Sequence, residues 1–145
     1  MALKVRLTNP APLDYKTPPW PSLYWPLDER IGVAKYLYFT RDIWLYTLLW
    51  TLVMFAGTHG IVAIISVVIH VGKGHRSWQY AWATFLALAI IAGIEAIMAG
   101  SVVGLILGAV YESGYFKMST WIPFVWGIIN VLFLIVSSFS YGSAL

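Results

Sequence analysis

The chain contains no cysteine. Disulfides, thiolate nucleophiles, cysteine-ligated zinc and palmitoyl anchors are thereby excluded. Charge is the second shortage. Asp, Glu, Lys and Arg make up 10% of the 145 residues, against about 25% in soluble domains. Beyond residue 42 only Lys73, Arg76, Glu95, Glu112 and Lys117 remain. There is no H-E-x-x-H, no G-x-S-x-G and no second acid near Glu95, so metallopeptidase, serine-hydrolase and carboxylate-pair chemistry lack their residues. His70 and His75 share a loop without further ligands, and no cofactor motif occurs. The expectation is a non-enzymatic protein with no metal and no cofactor. No Asn-x-Ser/Thr acceptor exists, since Asn9 precedes Pro10 and Asn130 precedes Val131 and Leu132. The first ten residues lack the apolar run of a cleavable signal, so the first membrane span is expected to act as an uncleaved one.

What the chain has is apolar length. Hydrophobic residues make up 60%, and mean hydropathy is +0.77. Residues 43–69 and 121–139 hold no charge, and residues 78–111 hold only Glu95. A bilayer core of roughly 30 Å takes about 20 helical residues to cross. All three stretches suffice, which predicts an all-α integral membrane protein. Its membrane domain covers residues 41–145, with spans at about 43–69, 78–111 and 120–140, and residues 1–40 form a tail. A straight helix over 78–111 would be roughly 50 Å long, so it must tilt, project or kink, with Gly93 as a plausible kink. A re-entrant pair of half-helices is the alternative.

The tail carries six of the seven prolines, all within residues 1–26, interleaved with Trp20, Tyr24 and Trp25. Proline fixes φ and removes an N–H, so this segment is expected to be extended, its aromatics meeting a membrane interface or a partner's groove. Asp28 can cap a short interfacial helix over 29–39, where Ile31, Ala34, Leu37 and Tyr38 recur at helical spacing. Thr40 offers an N-cap for the first span, and Ser119 or Thr120 for the third. The net charge is +3, but the tail mixes both signs. It is no nucleic-acid-binding arm, and weak attraction to anionic lipid is the better use of the surplus.

Tryptophans open each span. Trp44, Trp78, Trp82 and Trp121, with Trp20 and Trp25 of the tail, are the candidate interface anchors, and Trp50 and Trp126 lie deeper. Small residues recur every fourth position in the second span, at Ala92, Ala96, Gly100, Gly104 and Gly108. Such a stripe lets another helix approach closely. It leaves open whether that helix is the first span, the third, a second copy or a partner.

Each span also has one strongly polar residue near its centre: His59, Glu95 and Asn130. Intramembrane polar groups are costly and are functional candidates by default. They read either as a clasp that holds three helices in register or as a hydrated groove for lipid headgroups. Thr58, Ser101, Ser137 and Ser138 would extend such a groove. A proton or ion path is a further reading, with one acid and one histidine to support it.

With these spans laid out, the chain resembles the transmembrane protein 170 family of small three-span membrane proteins. The likeness lies in Leu49-Trp50 with His59 nine residues later, the small-residue second span ending in Val110-Tyr111, and Ile122-Pro123-Phe124 opening the third. It covers roughly residues 40–140, and Glu95 departs from it. The resemblance implies residence in the endoplasmic reticulum and nuclear envelope, a part in shaping those membranes, and phospholipid scrambling beside bridge-like lipid-transfer proteins. It also implies a cytosolic first loop, whereas Arg30, Lys35, Arg41 and Lys117 against Lys73 and Arg76 favour a cytosolic N-terminus. The expected function is therefore a phospholipid scramblase whose partners are phospholipids, the membrane and a larger lipid-transfer protein or other membrane subunit. The alternative is a structural, membrane-shaping subunit that packs against partner transmembrane helices.

Overall fold

A computed structural model of the chain describes residues 13, 15–24, 35–71 and 78–142, with the backbone alone at 70–71, 78–79 and 140–142. The three apolar runs fold as three helices, α1 (Thr40–Val71), α2 (Trp78–Ser113) and α3 (Trp121–Gly142). Each is long and apolar enough to cross a membrane, over Thr40–Ile69, Tyr80–Ser113 and Trp121–Phe139. This is the expected three-span architecture. The second span is one continuous helix of 36 residues, not a re-entrant pair. At 1.5 Å per residue it is about 54 Å long.

Glycine decides how α1 and α2 meet. A Cβ added at Gly100 would lie 3.0 Å from the Leu48 Cα, one at Gly104 3.1 Å from the Trp44 Cα, and one at Gly108 2.6 Å from the Thr40 Cγ2. Residue numbers fall along α1 as they rise along α2, so the two helices run antiparallel with backbones in near contact. The stripe is thus covered by α1 itself. Ala96, fully buried, continues it beside Phe55 of α1 and Val131 of α3. Helix α3 packs chiefly on α1 and little on α2. Gly127 makes its closest approach, where an added Cβ would lie 3.1 Å from the Trp50 carbonyl carbon.

Residues 29–39 do not end as the expected interfacial helix. Tyr36–Leu37 is a strand (β1) paired antiparallel with Met118–Ser119 (β2), Tyr36 opposite Ser119 and Leu37 opposite Met118. Residues 29–34 lie outside the described residues. Leu37 and Met118 are fully buried against Ile43, Tyr46 and Leu107, and Lys117 lies over the Tyr36 ring. The pairing with β2 seats Leu37 in this cluster, and tertiary packing overrides a short helical pattern. Nor does Thr40 cap α1. The Phe39 carbonyl accepts the first helical bonds, and the Thr40 hydroxyl instead donates to Glu112 Oε2 at the far end of α2, 2.6 Å away. Ser119 Oγ accepts from Trp121 N at the start of α3.

The tail residues 15–24 are seated on the helices. Thr17 donates to Asp42 Oδ2 at 2.6 Å, Tyr46 donates to the Pro18 carbonyl, and the Trp20 ring lies 5.4 Å from Trp50. Positions 42, 46 and 50 make one face of α1 over two turns. The strap then crosses to α3. Thr120 donates to the Ser22 carbonyl at 2.8 Å, and Trp121 Nε1 to the Tyr24 carbonyl at 2.9 Å. Pro18, Pro19 and Pro21 have no N–H to satisfy. Tyr46, Thr120 and Trp121 satisfy the Pro18, Ser22 and Tyr24 carbonyls, which lowers the cost of laying this segment against apolar surface.

Candidate functional site

His59 sits on the α2-facing side of α1, one turn beyond Phe55. Its Nδ1 lies 3.0 Å from the Phe55 carbonyl. A carbonyl only accepts, so Nδ1 carries a proton and Nε2 points away from its own helix. Nε2 lies 3.4 Å from Glu95 Oε2 of α2. The pair is an electrostatic contact without hydrogen-bond geometry, for Oε2 is buried yet makes no hydrogen bond among the described residues. The His59 side chain is 16% exposed and that of Glu95 38%. Glu95 is the single Asp, Glu, Lys or Arg within residues 43–69, 78–111 and 121–139. The two ionisable side chains expected at mid-membrane therefore meet.

Beside the pair a groove of about 250 Å³ opens between α1 and α2. Leu52, Ala56, Gly60 and Ala63 line it from α1, and Phe85, Ala89, Ala92 and Gly93 from α2. His59 is the polar side chain in this lining. A Cβ added at Gly60 or Gly93 would meet nothing within 4 Å. Unlike Gly100, Gly104 and Gly108, these glycines are not needed for helix contact, and their effect is open space. The flanking Ile61, Ile64, Leu86 and Ile90 are exposed, so the groove faces the bilayer.

Asn130 does not join them. It is buried, and its Nδ2 donates to Thr51 Oγ1 at 3.0 Å. Thr51 in turn donates to the Thr47 carbonyl at 2.8 Å, and Thr47 to that of Ile43. Thr51 precedes His59 by eight residues, about 12 Å along the helix. The expected midplane triad is thus two separate devices, an α1–α2 ionisable pair and an α3–α1 clasp. The reason is the face each side chain takes: Val131, next to Asn130, packs with Phe55 and Ala96 at about the same level, but Asn130 turns to Thr51 on α1 while His59 and Glu95 turn to each other. Thr58 turns its hydroxyl back to the Met54 and Phe55 carbonyls, and Ser137 and Ser138 do likewise within α3. Each of these hydroxyls donates within its own helix. Ser101 is half-buried on α2, one residue beyond Gly100.

Of the aromatic anchors, Trp20 is 41% and Trp82 62% exposed, and Trp44 and Trp121 are half-buried. Trp25 and the Trp78 side chain lie outside the described residues. Trp50 is buried between Trp20 and Phe124, and Trp126 packs near Tyr46 and Leu107. Sequence reasoning missed Thr47 and Thr51, both fully buried. Their four-residue spacing on α1 matches that of the glycines opposite and was the available signal. Among the described residues no group of three His, Asp or Glu side chains could hold a metal ion.

The comparisons fit this geometry. No solved structure matches the chain. A protein of Saccharomyces cerevisiae, described as the uncharacterized protein YPR153W, is 33% identical over 132 residues, which cover 91% of each chain. The family model for transmembrane protein 170A/B-like proteins matches residues 36–145, from the β1 strand through α3. The chain belongs to the transmembrane protein 170A/B-like family.

Proposed function

We propose that this multi-pass membrane protein is a phospholipid scramblase of the endoplasmic reticulum, working beside a bridge-like lipid-transfer protein. The observation that carries this reading is the His59–Glu95 pair at the edge of a bilayer-facing groove. A headgroup crossing hydrocarbon must shed water, and each charge at mid-membrane costs about 2.5–3.5 kcal/mol on insertion scales. A partly exposed acid–imidazole pair offers charge and hydrogen-bond partners at that depth, while the acyl chains stay in the groove or in lipid. The endoplasmic reticulum and the transfer partner come from the family resemblance, as does residence in the nuclear envelope.

The alternative reading, a structural and membrane-shaping subunit, uses the small-residue stripe and the tail as partner surfaces. α1 covers the stripe at Gly100, Gly104 and Gly108, and α1 with α3 covers residues 15–24. A partner helix must then dock elsewhere.

The test is a liposome assay with tail-labelled phospholipid in both leaflets and a membrane-impermeant reductant outside. Bleaching well past half in intact vesicles supports transport. Bleaching that stops at half removes the scramblase reading and favours the structural subunit.

A further inference from the structure

We infer that the path at His59 and Glu95 favours zwitterionic phospholipids over anionic ones; this rests on the lipid-transport reading above. The Phe55 carbonyl, 3.0 Å from Nδ1, fixes the imidazole so that Nε2 faces Glu95 at 3.4 Å. The path thus presents one acid and one imidazole side by side, at a depth where an unmatched charge is costly.

An acid beside an imidazole supplies no fixed positive charge to neutralise an anionic headgroup, and no Lys or Arg lies within residues 43–69, 78–111 or 121–139 to do so instead. A zwitterionic headgroup carries no net charge and has the complementary polarity. Its phosphate can face His59, which lines the groove, while its ammonium faces Glu95, whose side chain is 38% open. An anionic headgroup with a glycerol in place of the ammonium leaves its phosphate uncompensated beside a carboxylate. In a poorly screened site one unmatched like charge slows crossing by at least about tenfold.

The experiment uses the full-length protein in liposomes of neutral bulk lipid. Trace phosphatidylethanolamine, phosphatidylcholine or phosphatidylglycerol is added in separate preparations, each with the same tail label, and the slow phase of bleaching is timed. The two zwitterionic labels should cross about tenfold faster than phosphatidylglycerol. Glu95→Gln, checked for unchanged helical content and elution volume, should narrow that gap to under about threefold, with the zwitterionic labels slowing toward phosphatidylglycerol, because the amide carries no charge either to hold an ammonium or to repel a phosphate. Phosphatidylglycerol keeping pace with phosphatidylcholine in the wild-type protein would overturn the selectivity while leaving transport in place. A gap that persists in a folded Glu95→Gln protein would overturn the assignment to this pair. If no label bleaches past half, the transport reading fails and the selectivity fails with it.

Discussion

Asn130 of α3 donates to Thr51 of α1 across 3.0 Å, and both side chains are buried. The Thr51 hydroxyl in turn donates to the Thr47 carbonyl, so the amide is the last link of a chain that begins in the α1 backbone. Interhelical bonds of this kind average about 0.6 kcal/mol in membranes, with a maximum near 1.7. Asn130→Ala and Thr51→Ala should each lower stability, and a double-mutant cycle should return a coupling within that range. Reversible unfolding in mixed micelles would measure it. Strictly additive losses would mean that the bond holds nothing.

The strap should respond to its donors. Thr120→Val and Trp121→Phe remove the hydrogen bonds to the Ser22 and Tyr24 carbonyls while keeping most of the side-chain volume. Each buried bond is worth about 1 kcal/mol. The double variant should therefore open residues 15–24 at least tenfold more often. Limited proteolysis at Lys16 or Tyr24, followed by mass spectrometry, reads the change directly. Equal cleavage rates in variant and wild type would show that the strap is held by its other contacts, the Thr17–Asp42 and Tyr46–Pro18 hydrogen bonds and the rings of Trp20 on Trp50 and Tyr15 on Tyr36.

Thr40 and Glu112 tie the start of α1 to the end of α2 through one bond of 2.6 Å. A hydrogen bond to a charged group is worth about 1.5–3 kcal/mol, and partial exposure reduces it. Thr40→Val should cost about 1 kcal/mol. Glu112→Gln, whose amide oxygen still accepts, should cost less. Thermal melts of the two variants check the order.

The spans were legible because hydrocarbon imposes a length and a composition that residues 43–69, 78–111 and 121–139 display openly. The glycine stripe was legible as a close contact but not as a contact with α1, since periodicity marks a face without naming what covers it. The midpoints of the three runs do pack at one level, where Phe55, Ala96 and Val131 meet, but depth does not say which face a side chain takes, and Asn130 turns to Thr51 rather than to Glu95. The strand at Tyr36–Leu37 was hidden for a different reason. Two residues paired with a segment about 80 positions later leave no local period, and the aromatics around them fit a helix equally well.

Gly93 and Gly100 lie two turns apart on α2 and separate the groove from the fold. At Gly100 an added side chain would start 3.0 Å from the Leu48 Cα, so Gly100→Leu must push α1 away and should destabilise by about 1–3 kcal/mol or more. At Gly93 an added Cβ meets open space inside the groove lining. Gly93→Leu should leave melting and elution close to wild type while its isobutyl group fills the floor between Ala89 and Gly60. If lipid passes there, bleaching in the liposome assay should fall to near the half that protein-free vesicles give. Transport that survives Gly93→Leu undiminished would place the path elsewhere, on the exposed side of Glu95 away from the groove. Loss of folding in this variant would mean that the groove is closed by packing in the bilayer, and melting temperature and bleaching read from the same preparation tell the two apart.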